Sequence, residues 1–121
     1  MVSMKIGSRT FHIEVAATPS DQETGLMKRD SMPEDHGMIF VFPDEGNRAF
    51  WMKNTRIPLD ILYLDTAGKI VSIHQMQPYD LTETPSDFPM RYAIELNRGA
   101  AKDAGVKVGD QITIPPEAKA K

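Results

Sequence analysis

The sequence predicts a single α+β domain: a mainly antiparallel, curled or barrel-like sheet of about seven short strands with two short helices. Three observations predict it. Apolar residues alternate with polar ones at Phe11, Ile13 and Val15 and again at Tyr92, Ile94 and Leu96, the period of half-buried strands. Turn chemistry separates apolar runs at Pro43-Asp44-Glu45-Gly46 and Asp65-Thr66-Ala67-Gly68, as hairpins require. No strand–helix–strand alternation runs through the chain, which argues against a parallel sheet.

The first strand, around Phe11 to Val15, leads into Thr18-Pro19-Ser20-Asp21. This is a helix start, with Thr18 as N-cap, Pro19 at the first helical position and Asp21 at the capping-box place. The helix is expected to run to Lys28. Leu26 and Met27 supply its apolar content, so it should touch the sheet by one edge. Gly37-Met38-Ile39-Phe40-Val41-Phe42 is a continuous apolar run, suited to a strand buried on both faces. Ala49-Phe50-Trp51-Met52 is then expected to return as its antiparallel partner.

Leu59 to Leu64 and Lys69 to His74 read as a second strand pair. Residues 75–89 carry Pro78, Pro85 and Pro89 without a period and read as a long loop, a kind that is often functional. Tyr92 to Leu96 is the next strand. Ala100 to Ala104 is a helix of one or two turns closed by Gly105, and Gln111 to Ile114 a last strand before a frayed tail. One domain over residues 1–121, ordered over about 10–114, accounts for the whole length.

Composition removes several function classes. The net charge of −3, with scattered basic residues, offers no electrostatic case for nucleic acid. With no cysteine, disulfides, thiol chemistry and thiolate-bound metal are excluded. No run approaches the roughly 18 apolar residues of a membrane span, and Met1 to Gly7 lacks a signal-peptide core. Either the protein is cytosolic or a leader lies outside this sequence. His12, His36 and His74 have no metal-ligand spacing, and the eight methionines read as core filler, so neither a metal nor a cofactor is expected.

Four segments, taken together, resemble the domain-of-unknown-function 192 family. They are Gly25-Leu26-Met27-Lys28-Arg29, then Gly37 to Phe42, then Phe50-Trp51-Met52-Lys53-Asn54-Thr55-Arg56-Ile57-Pro58-Leu59-Asp60, and finally Ala93-Ile94-Glu95-Leu96 followed by Gly99 and Gly109-Asp110. The resemblance covers residues 12–114, and the Trp-Met-Lys-Asn-Thr block is its specific part. It implies a small bacterial or archaeal β-rich α+β domain, often exported, hence a periplasmic or extracellular place. It brings no established activity and no catalytic residue. Where members often carry a basic residue before the Gly-Leu-Met block, this chain has Gln22, Glu23 and Thr24.

The candidate ligand-binding residues are Trp51, Lys53, Asn54 and Thr55, with Arg29 in support. An indole to stack on, a cation and several hydrogen-bond donors are the equipment for gripping a small ligand. The competing reading is that Asn54 and Thr55 bond their own turn and Trp51 is core. Asp60 and Glu95 are strand carboxylates that could act as a general acid/base pair, or could make structural ion pairs. Three functions therefore stand open. The first is a small extracytoplasmic binding or accessory domain, not an enzyme, whose partner is a small ligand or a protein. The second is a hydrolase of glycans or peptides using Asp60 and Glu95. The third is a structural protein-interaction module.

Overall fold

A hairpin opens the chain in the computed structural model, which describes residues 1–120. Strand β1 (Val2–Ile6) pairs antiparallel with β2 (Arg9–Ala16), Met4 lying opposite Phe11. The Thr18 hydroxyl accepts the Asp21 N–H at 3.1 Å and starts α1 (Pro19–Thr24), as the sequence predicts. The helix ends at Thr24, four residues earlier than expected, because Gly25 takes φ +47°, off the helical path. Strand β3 (His36–Gly46) then lies parallel to β2, Ile13 facing Gly37.

Beyond β3 the sheet is antiparallel. Its order is β1-β2-β3-β8-β5-β6, with β5 (Leu59–Leu64), β6 (Ile70–Met76) and β8 (Met90–Asn97). Two short segments, β4 (Ala49–Phe50) and β7 (Thr84–Pro85), form a separate two-stranded ribbon. Helix α2 (Ala100–Ala104) follows β8 and packs its three buried alanines on the sheet.

All six residues of β5 are buried, because apolar layers cover both faces of the central strands. One layer holds Ile13, Ile39, Leu62, Ile94 and α2. The other holds Leu26, Met38, Phe40, Met52, Ile61 and Tyr63. Six methionines are buried in these layers, the gap-filling role expected of them.

Several expectations are corrected. The sheet is open, with β1 and β6 at its edges, so it does not close into a barrel. It is mainly antiparallel, as expected, but β2, α1 and β3 make one parallel crossover. Residues 49–52 do not pair with β3: Ala49 and Phe50 pair with Pro85 and Thr84, and β3 pairs with β8 instead. The loop over 75–89 thus contains a strand.

Gln111 to Ile114 forms only an isolated bridge, Lys69 opposite Gln111. Its backbone is used to cap the β6 edge, where the Ile112 and Gly109 N–H groups donate to Gly68 and Ile70 carbonyls. The tail is not frayed at Pro116–Ala118, a 3-10 turn that buries Ala118. The Ala120 N–H also donates to the Tyr92 hydroxyl at 2.8 Å. At the other end, β1 brings Met4 and Ile6 into the core, ahead of the expected start of order.

Candidate functional site

The end of α1 and the ribbon of β4 and β7 stand over one face of the sheet and leave a cleft of ≈ 400 Å³ between them. That lies within the range of small-molecule sites. One wall is the chain from Gln22 to Met27, and the other carries Phe42, Arg48, Phe50 and Trp51. Phe40 and Glu95 rise from the sheet beneath.

The aromatic wall follows from strand periodicity. Phe40 and Phe42 are two apart on β3 and point to the same face. Phe50 meets both edge-on, at 4.9 Å and 6.2 Å between ring centroids, and also meets Tyr63 at 5.8 Å. Opposite them, Gly25 stands so close that a Cβ there would lie 3.3 Å from Phe40 Cζ. Trp51 at the lip is 47% exposed.

The polar groups of the cleft are mostly committed. Gln22 Nε2 donates to the Ala16 and Val41 carbonyls, tying α1 to the sheet. Arg48 bonds Asp44 Oδ1 at 2.6 Å and the Met90 carbonyl at 3.0 Å, and it stacks 4.2 Å over the Phe42 ring. Outside the cleft lining, the buried Tyr63 packs against Phe50, and its hydroxyl donates to the Thr84 carbonyl at 2.6 Å. Burial, helped by the Glu95 carboxyl, makes that hydroxyl hard to ionise.

Glu95 differs from these. It sits mid-strand between Met38 on β3 and Ile61 on β5 and is 4% exposed. No hydrogen bond or ion pair to its carboxyl is found among the described residues. Burial pushes that carboxyl up to about 8.

The residues singled out from sequence separate into four places. Trp51 and Thr55 line the cleft. Lys53 is exposed and lies 5.4 Å from the Trp51 ring. Asn54 takes φ +54° in a turn, its carbonyl accepting the Lys28 N–H. The Thr55 hydroxyl donates to the Lys53 carbonyl, so this pair bonds its own turn. Arg29 is engaged with Glu14, at 2.5 and 3.0 Å, away from the cleft. That pairing holds the Glu14 carboxyl below its ordinary range.

Asp60 and Glu95 are not brought together. Asp60 Oδ2 accepts the N–H groups of Gly99 and Ala101 at 3.0 and 3.1 Å, on the α2 side of the sheet, whereas Glu95 faces the cleft. An acid/base pair between them does not form. The aromatic wall, by contrast, escapes a sequence reading that assigns Phe40 and Phe42 to core. Their spacing of two, with a further Phe at 50, is the only signal for it.

Among the described residues, no group of three or more His, Asp or Glu side chains is placed to hold a metal ion. No helix there is long and apolar enough to cross a membrane.

Comparison with known proteins agrees with the motif reading. The crystal structure of a candidate transcription regulator from Sinorhizobium meliloti 1021 is 37% identical, with TM-score 0.86 over 92% of this chain and 89% of its own. A protein of unknown function from Novosphingobium aromaticivorans DSM 12444 is 35% identical, with TM-score 0.82 over 93% of this chain and 82% of its own. No curated protein matches. Residues 2–114 match the family described as an uncharacterized ACR, and the chain belongs to this family, domain of unknown function 192.

Proposed function

We propose that the chain is a small-ligand-binding domain whose site is the cleft between α1 and the aromatic wall. The carrying observation is that Phe50 and the half-exposed Trp51 flank an open hollow of ≈ 400 Å³ on that face. Flat apolar bodies gain most from such a wall, by stacking and by burial. Trp51 grips the ligand at the lip and Thr55 closes the near end. Lys53 acts by holding the indole, and Asn54 by setting the turn. A place outside the cytoplasm is supported by the resemblance to a family with many exported members, and fractionation of cells making the native protein tests it.

The experiment is a thermal-shift screen against small aromatic alcohols, amines and acids, with Trp51 emission as a second readout. A ligand at 100 times its Kd stabilises by roughly 2.7 kcal/mol, a midpoint rise on the order of 10 °C in a domain of this size. Hits are expected to weaken in Trp51→Ala. A screen without hits overturns the reading.

A second reading has its own observation. Trp51, Tyr79, Leu81 and Phe88 are all exposed, and Trp51 and Leu81 line a common hollow. Exposed large apolar side chains on one segment suit a protein contact. Cross-linking that captures a partner through a photoreactive group at position 81, and loses it in Tyr79→Ser, favours this reading.

A further inference from the structure

We propose that the cleft receives a cationic amine, its protonated nitrogen docking on the Glu95 carboxylate and its apolar body lying along Phe40, Phe50 and Trp51. The inference rests on the small-ligand reading of the same cleft and names its ligand class.

The acidic side chains of this sheet provide the contrast. Glu14 on β2 has Arg29, and Asp60 on β5 has two backbone N–H groups of α2. Glu95 on β8 is 4% exposed and no group among the described residues pairs with either of its oxygens, whereas Asp60 leaves only Oδ1 without a partner. A buried carboxylate without a partner is costly, and its strand neighbours facing the same layer, such as Ala93 and Ile61, are apolar. Nothing in the packing calls for a carboxyl at this position. Its outlet is the cleft that it lines.

The other groups of the cleft select the sign of the ligand. Arg48, the cation lining it, is held by Asp44, the Met90 carbonyl and the Phe42 ring. It neither neutralises Glu95 nor stands free to receive an anion. The amide N–H groups of Gln22 and the hydroxyl proton of Thr55 are spent on backbone carbonyls. Exposed Glu23 places an acidic group at the rim as well. Aromatic faces attract cations as well, which suits a ligand with a charged head beside Phe50 and Trp51.

The test compares three ligands of one size, the cation 2-phenylethylamine, the neutral 2-phenylethanol and the anion phenylacetate, by titration of Trp51 emission. With the titration run above about pH 8, where the Glu95 carboxyl is ionised in the free protein, a charge-assisted bond to it predicts that the amine binds roughly 10- to 100-fold tighter than the alcohol. Phenylacetate should bind weakest. Glu95→Gln keeps the shape and should bring the amine to the affinity of the alcohol while leaving the alcohol unchanged. Glu23→Gln, at the exposed rim, should change the amine affinity by less than about threefold. An alcohol or acid that binds the wild-type protein as tightly as the amine overturns the cationic specificity alone. So does an amine preference that survives Glu95→Gln. If none of the three binds, the small-ligand reading falls with it.

Discussion

Asp60 and Glu95 lie one register step apart on adjacent strands and face opposite sides of the sheet. Asp60 is opposite Leu96 and Ile61 is opposite Glu95, so strand pleating sends one carboxyl beneath α2 and the other beneath the cleft. The two residues therefore have separate roles, one holding a helix start and one facing a ligand site.

Removing the Asp60 carboxyl should cost stability. Asp60→Ala strands the Gly99 and Ala101 N–H groups at the start of α2, each costing about 1–3 kcal/mol when left buried without an acceptor. A loss of about 2–4 kcal/mol in urea unfolding is expected, with ligand affinity in the cleft unchanged.

Glu95 should make the fold less stable as pH rises. Its carboxyl titrates near 4.5 when the chain is unfolded and at about 8 when folded, so between these values the folded protein holds the extra proton. Stability then falls with rising pH across that window, by up to about 1.4 kcal/mol per pH unit from this group, and is flat below it. Glu95→Gln removes the slope. Relative to wild type the variant should gain on the order of 3 kcal/mol between pH 5 and pH 8, read from paired denaturant curves.

The Arg29–Glu14 pair has the opposite sign. The Glu14 carboxyl is lowered chiefly by its hydrogen bonds from Arg29, so the pair stabilises above the unfolded pKa and its contribution is lost as pH falls through the folded one. Both side chains are about a third exposed, which limits the gain to about 0.5–1 kcal/mol. A double-mutant cycle with Glu14→Gln and Arg29→Gln should return that coupling at pH 7 and none at pH 2.

Gly25 should be intolerant of a side chain for two reasons. Its φ of +47° disfavours any Cβ, and a Cβ would press on Phe40 at 3.3 Å. Gly25→Val should lower stability by about 1–3 kcal/mol and weaken cleft ligands by a larger factor than Trp51→Ala.

Much of the fold is legible in the sequence because local chemistry decides it. The Thr18 cap, the strand runs at β3, β5 and β8 and the Gly105 stop of α2 all depend on residues within a few positions. What is not legible depends on distant partners. The parallel placing of β2 beside β3, and the pairing of Phe50 with Thr84, join segments that no turn residue links. The same holds for the site. Trp51 and Glu95 stand out by residue type, but whether Glu95 shares a cleft with Asp60 or with Phe50 turns on register and on pleat, neither of which a lone carboxylate in an apolar strand reveals.

The most direct test of the binding account is a map of backbone amide shifts in the 15N-labelled protein on titration with 2-phenylethylamine. The account predicts saturable shifts at Gly25, Leu26, Phe40, Phe50, Trp51 and Glu95, with Ala101 and Ile112 on the far face unmoved. Shifts centred on the far face, or none at millimolar ligand, would contradict it.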